Sequence, residues 1–263
     1  MGSFPNIIYG DYGDEKTAQS TKIGGLPLET LMILPDGSKW RHTRAPSGTA
    51  TVAGSLYQIA ARDSDTMLYK SLIPAATYAV GATSVAFTTG GTTAITTDQY
   101  ADGWLIIAGS AGSGSPKGEK YRIKSNNSAA SGSTTCTLSL YPEDALKTAI
   151  PAGTIRIGVV ANDYNAPVVT PTGTVLDKIV GVAPIAASAG FYYWTQRGGD
   201  ALLAVGGTVL VEGEAVLVGT AEAGIGKTSA ASGTASFKAL YSIGTCVTVS
   251  LTNGFSLVNL ELE

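Results

Sequence analysis

The residues best spaced for chemistry lie near the C-terminal end, where Ala221-Glu222-Ala223-Gly224-Ile225-Gly226-Lys227-Thr228 comes directly after an apolar strand. This stretch satisfies a relaxed P-loop pattern, with Ala in place of the first Gly. Phosphate binding there needs a helix to begin at Lys227, so that its N-terminal amides face the anion. The next residues, Ser229-Ala230-Ala231-Ser232-Gly233-Thr234, form turns instead, and no later strand ends in an Asp placed for magnesium. The stretch therefore reads as a long surface hairpin.

Other reactive groups are sparse. His42, between Arg41 and Thr43 and near Trp40, is the single histidine. No Gly-x-Ser-x-Gly elbow accompanies it, so a Ser/His/Asp site has no support. Its neighbours Lys39, Arg41 and Arg44 make a small positive cluster suited to an acidic partner surface. Glu212 and Glu214 are expected to project from one face of a strand, and Asp63 and Asp65 share a loop. Paired carboxylates serve glycoside hydrolysis or calcium binding, but neither pair is extended by further acids into a ligand set. Zinc lacks a Cys/His cluster. Cys136 and Cys246 each sit in an alternating strand pattern, where a buried free thiol is the common state, although a disulfide between them stays open. The reading implies no enzyme, no metal and no cofactor.

The elements that position these residues are strands. Gly190-Phe191-Tyr192-Tyr193-Trp194-Thr195-Gln196-Arg197-Gly198-Gly199 sets four aromatics in a row between glycines, in a chain with 8% aromatics. It reads as a strand with a turn at its end, one face toward the core and the other toward a symmetry-related subunit. Residues 1–52 read as an extended N-terminal arm with one hairpin, in which Pro35-Asp36-Gly37-Ser38 turns the chain and Trp40 lies on the second strand. Residues 53–71 read as a short helix, Ala53 to Arg62, and a connector. Strands separated by Gly/Ser turns fill 72–165, and a second β domain fills 166–263. The fold class is therefore all-β, antiparallel barrel or sandwich domains with an extended arm and one short helix.

Composition narrows the function. Charged residues are 14% of the 263, against roughly a quarter in an ordinary soluble domain. The net charge of -3 and the lack of a basic patch argue against a nucleic-acid partner. The N-terminus shows no signal-peptide pattern and no apolar run reaches transmembrane length, so a membrane partner is not expected either.

With this order of segments the chain resembles virion structural proteins of tailed bacteriophages, in particular head decoration (cement) proteins. The resemblance rests on YGDYGDEKTAQSTKIGGLPLETLMILPDGSKWRHTRA, then VGATSVAFTTGGTTAITTDQYADGWLIIAGSAGSG with EKYRIKSN, and then VGVAPIAASAGFYYWTQRGGDALLAVGG with VEGEAVLVG. These are patterns of turns and aromatics that cover most of the chain. Tyr193 stands where a second glycine often lies in that family. The resemblance implies a homotrimer on the capsid exterior, assembled in the host cytoplasm, with the major capsid protein as partner. It places Trp40, His42 and Arg44, with residues 7 to 27, against neighbouring subunits and Tyr192, Tyr193 and Trp194 in or next to a subunit interface. The alternative is a fibre or tail adhesin that binds host surface glycans through exposed Tyr and Trp.

Overall fold

The computed structural model describes residues 7–61, 72–89, 94–110, 118–132, 134–153, 155–171, 177–206, 209–218, 226–228, 242–249 and 254–263. The fold is all-β, as the sequence predicts. It divides into two units, Met1–Ala60 with Ala166–Glu263, and Ala61–Asn165.

With strands numbered in chain order, the first unit holds β1 (Ile7–Tyr9), β2 (Leu31–Ile33), β3 (Lys39–Arg44), β4 (Leu56–Gln58), β10 (Val168–Val169), β11 (Ile179–Val182), β12 (Tyr192–Ala204), β13 (Ala215–Val218), β14 (Gly226–Thr228), β15 (Ser242–Cys246) and β16 (Phe255–Glu261). They form one sheet in the order β1-β2-β3-β12-β16-β15-β13-β14, and β10-β4-β11 branches from it where Val182 pairs with Gln196. Among the described strands of this sheet, β1 and β2 run parallel and the other pairs are antiparallel. Alternate residues of these strands point inward, and Leu56, Val182, Leu203, Val216, Ile243 and Val258 meet in the core.

Four features differ from the sequence reading. Residues 7–27, expected as an extended arm whose backbone needs partners from elsewhere, are tied into the first unit: β1 pairs with β2, Gln19 and Tyr192 exchange main-chain hydrogen bonds, and β3, the second strand of the expected hairpin, lies along β12. The backbone polar groups of an extended segment must be paired, and here the C-terminal half of the same chain supplies the partners. Over the described residues 53–61 the helix expected for Ala53 to Arg62 does not form, and β4 stands in its place. Leu56, Tyr57 and Gln58 are all buried, so both faces of β4 are covered and the period-two signal of a half-buried strand is erased; β10 and β11 pair with its two edges. Finally, Gly198-Gly199 does not end the aromatic strand. Gly199 takes φ 78°, the pairing with β3 slips between Gln196 and Gly198, and β12 continues as a bulged strand of 13 residues that absorbs Leu202 to Ala204. A Cβ on Gly199 would stand 3.1 Å from Ser38, which reserves the position for glycine. Val211, expected in a strand, lies outside one, and the strand expected over Ala235 to Tyr241 falls outside the described residues.

The second unit holds β5 (Ser84–Thr88), β6 (Trp104–Ser110), β7 (Lys120–Asn126), β8 (Thr135–Leu140) and β9 (Ile155–Val160), in the order β5-β8-β7-β6-β9. Its two end strands are joined by residues 72–75. Leu72 exchanges main-chain hydrogen bonds with Ile157 of β9, and the amide of Ala75 donates to Ala86 of β5. The ring of strands thus closes around Phe87, Leu105, Ile107, Ile123, Leu138 and Ile157.

Candidate functional site

The structure brings all six residues singled out in the sequence onto one seam. In β3, Trp40, His42 and Arg44 share a face because strand side chains alternate. In the register of the β3–β12 pair, Arg44 stands opposite Tyr192, His42 opposite Trp194 and Trp40 opposite Gln196. The result is a ladder of flat groups. The Arg44 guanidinium lies 5.7 Å from the centre of the Tyr192 ring. His42 stacks on Tyr192 at 5.5 Å and tilts against Trp194 at 5.2 Å. Trp40 and Trp194 continue into a cluster with Met32 and Leu34, onto which Ile8, Ile23 and Leu26 pack.

This ladder is covered by its own chain. His42 is 0% exposed and its Nδ1 lies 3.1 Å from the Pro27 carbonyl oxygen, while the Trp40 indole N–H donates to the Ser38 hydroxyl at 2.8 Å. Tyr192, Tyr193, Trp194 and Trp40 are buried as well, and Arg44 is half-buried. The expectation that these side chains touch neighbouring subunits is therefore corrected for the five buried ones, while Arg44 keeps part of its surface open. Residues 8–34 occupy the face the sequence reading left open for a partner. Burying large aromatics on both faces of β12 stabilises each by several kcal/mol, on the order of 25 cal/mol per Å², so the ladder is a fastening and not a contact surface.

The opposite face of the seam carries polar groups. The Thr195 hydroxyl donates to the Thr43 hydroxyl at 2.8 Å, and burial pushes the Tyr193 phenol above the usual tyrosine range. At the end of the seam the sequence reading missed a charged knot. Arg41 grips both oxygens of Glu263, from Nε at 2.7 Å and from a terminal nitrogen at 2.9 Å, and Arg197 Nε donates to the same carboxylate at 3.0 Å. Arg197, 7% exposed, also donates to the carbonyls of Ile179 at 2.7 Å, Val180 at 2.8 Å and Leu262 at 2.5 Å. One guanidinium thereby ties β11, β12 and the end of β16 together. The knot was beyond sequence reasoning because its members lie more than 150 positions apart between Arg41 and the other two.

Burial alone would raise the Glu263 pKa, but hydrogen bonds and charge from Arg41 and Arg197 outweigh it and hold the carboxyl below the usual glutamate range. A carboxylate with a lowered folded-state pKa contributes stability that is complete above its unfolded value, about 4.3, and is lost as pH falls through the folded value. Glu263→Gln is therefore expected to cost about 1–3 kcal/mol at neutral pH and to flatten the acid limb of the stability profile. Urea melts between pH 7 and pH 3 measure both; an unchanged acid limb contradicts the assignment.

The remaining sequence candidates stay apart. Gly226, Lys227 and Thr228 form strand β14, with Lys227 opposite Leu217 of β13, in place of the helix start that a P-loop needs; Ala221 to Ile225 lie outside the described residues. Glu212 and Glu214, expected on a strand face, flank the turn before β13, with Glu212 exposed and Glu214 half-buried. Asp63 and Asp65 fall outside the described residues. Cys136 and Cys246 are both free and buried; burial pushes the Cys136 thiol up to about 11 and raises that of Cys246, which makes both poor nucleophiles at neutral pH. Among the described residues no group of three or more His, Cys, Asp or Glu could hold a metal ion. Also among them, no helix is long and apolar enough to cross a membrane.

Three exposed apolar side chains of the N-terminal segment lie elsewhere, at the end of the described sheet. Ile7 and Tyr9 of β1, and Tyr12 just after it, are 40%, 84% and 67% exposed. Comparison of the chain with protein-family models, with curated proteins and with solved structures finds no match.

Proposed function

We propose that the chain is a structural virion protein that decorates and stabilises a tailed-phage capsid by bridging neighbouring capsomers. The observation that carries the reading is the β1 edge. Among the described strands β1 ends the sheet, and Ile7 and Tyr9, with Tyr12 just after them, face solvent on a body locked behind by the aromatic ladder. Such an edge accepts a strand from a partner through main-chain hydrogen bonds, with protruding tyrosines as anchors. The contact residues are thus Tyr9 and Tyr12, with Trp40, His42 and Trp194 holding the edge in place. The low charge content suits a surface largely covered in an assembly. The partners are the major capsid protein and two further copies of the chain, on the capsid exterior; three linked edges gain from effective concentration even where each is weak.

The test is a double variant, Tyr9→Glu with Tyr12→Glu, mixed with capsids stripped of the protein and sedimented. Both side chains are exposed, so the melting temperature stays at the wild-type value, while capsid binding falls at least about tenfold. Wild-type binding by a folded double variant contradicts the proposal. A second reading, a fibre or tail adhesin for host surface glycans, is favoured by one feature, the partly exposed Trp104 of the second unit.

A further inference from the structure

The second unit carries eight basic and eight acidic residues, yet its basic side chains are not evenly spread. Lys120, Arg122 and Lys124 alternate along β7 with the buried Tyr121 and Ile123, so all three leave the same outward face. Trp104 stands directly across from Arg122 on β6, and Lys120 pairs with Ile106 two residues further along. The Lys120 ammonium lies 4.3 Å from the Trp104 ring centre and the Arg122 guanidinium 4.9 Å from it. Two cations are thereby held over one aromatic ring that is itself only partly covered.

Three of the nearby carboxylates are engaged elsewhere. Glu119 accepts hydrogen bonds from the hydroxyls of Tyr121 and Thr148, at 2.7 Å from the latter. Asp102 is buried and accepts the Tyr141 hydroxyl at 2.6 Å, and Asp144 accepts the Arg122 main-chain N–H. Among the described residues neither Lys120 nor Arg122 has a carboxylate within ion-pair distance. Placing two long cations over an indole orders them before a ligand arrives, which removes part of the entropy cost of binding.

We propose that the Trp104–Lys120–Arg122 face is a binding site for a carboxylated saccharide, with Lys120 and Arg122 holding the carboxylate and the open part of the indole packing on the sugar ring. The charge complementarity is to a small anionic ligand. The unit as a whole is neutral and this face offers one aromatic, whereas single-stranded nucleic acid calls for a run of stacking platforms within a positive groove. The assignment does not rest on the capsid reading, because it concerns the second unit alone and needs no capsid partner.

Tryptophan fluorescence of the full chain reports the site, since Trp40 and Trp194 are buried and Trp104 is the accessible indole. The probes are trigalacturonate, its neutral methyl ester and a thymidine oligonucleotide. Trigalacturonate is expected to change the emission saturably, and the ester to bind at least about tenfold more weakly. Lys120→Gln with Arg122→Gln, both on the outward face, is expected to reduce trigalacturonate affinity at least about tenfold without shifting the melting temperature. Trp104→Leu is expected to weaken binding of the acid when followed by calorimetry. Equal binding of acid and ester, unchanged affinity in the folded double variant, or tighter binding of the oligonucleotide than of trigalacturonate overturns the proposal.

Discussion

Trp194→Ala is expected to destabilise the first unit by about 3–5 kcal/mol, a large part of what a domain has to lose. The indole is 1% exposed and is the largest fully buried side chain described. It touches His42 on β3 and shares a cluster with Met32 and Leu34, so its removal leaves a void where the N-terminal strands meet β12. Surrounding strands are fixed by main-chain pairing and close such a void only in part. Trp194→Phe keeps a ring in place and is expected to cost roughly a third to a half as much. Urea melts followed by circular dichroism give both values. A loss below about 1 kcal/mol for the alanine variant would mean that the ladder does not fasten the N-terminal strands.

A loss of similar size, about 3–5 kcal/mol, is expected for Arg197→Ala. The substitution removes the donors for three carbonyls, Ile179, Val180 and Leu262, and leaves Glu263 with Arg41 as its remaining cation in the knot. Arg197→Lys retains the charge but not the planar fork that reaches four acceptors, and it is expected to recover less than half of the loss. Arg41→Ala acts on the more exposed partner, 22% against 8% for the side chains, and is expected to cost about 1 kcal/mol. The ranking is the test: if Arg41→Ala is as costly as Arg197→Ala, the knot works through the ion pair alone and the carbonyl contacts contribute nothing.

These two effects arise from pairings that local sequence patterns do not encode. The strand nature of Tyr192 to Gln196 was legible, because consecutive aromatics between glycines favour extended chain, and so was the β2–β3 hairpin with its Pro-Asp-Gly-Ser turn. The strands of the second unit were legible for the same reason, each alternating between Gly/Ser turns. That β3 lies against β12 was not, since the two are separated by about 150 positions and nothing in either strand names the other. Once that pairing is known, the burial of His42 and Trp40 is explained, and with it the correction of the contact surface. β4 was misread because a strand buried on both faces loses alternation, and Gly198-Gly199 because a glycine pair serves a bulge as readily as a turn. The Trp104 face had a signal in Lys120-x-Arg122-x-Lys124, a one-sided strand pattern, but the cross-strand indole that gives it meaning depends on register.

The knot and the ladder together fasten the strands of the first unit, whose exposed tyrosines sit at one end of its described sheet. That arrangement suits the proposed repeated attachment to a lattice. Imaging purified phage particles labelled through an antibody to the protein tests it most directly. Label is expected over the whole head, at every capsomer, and is expected to be lost when Tyr9→Glu with Tyr12→Glu replaces the wild-type chain. Label confined to the tail or to a single vertex would contradict it.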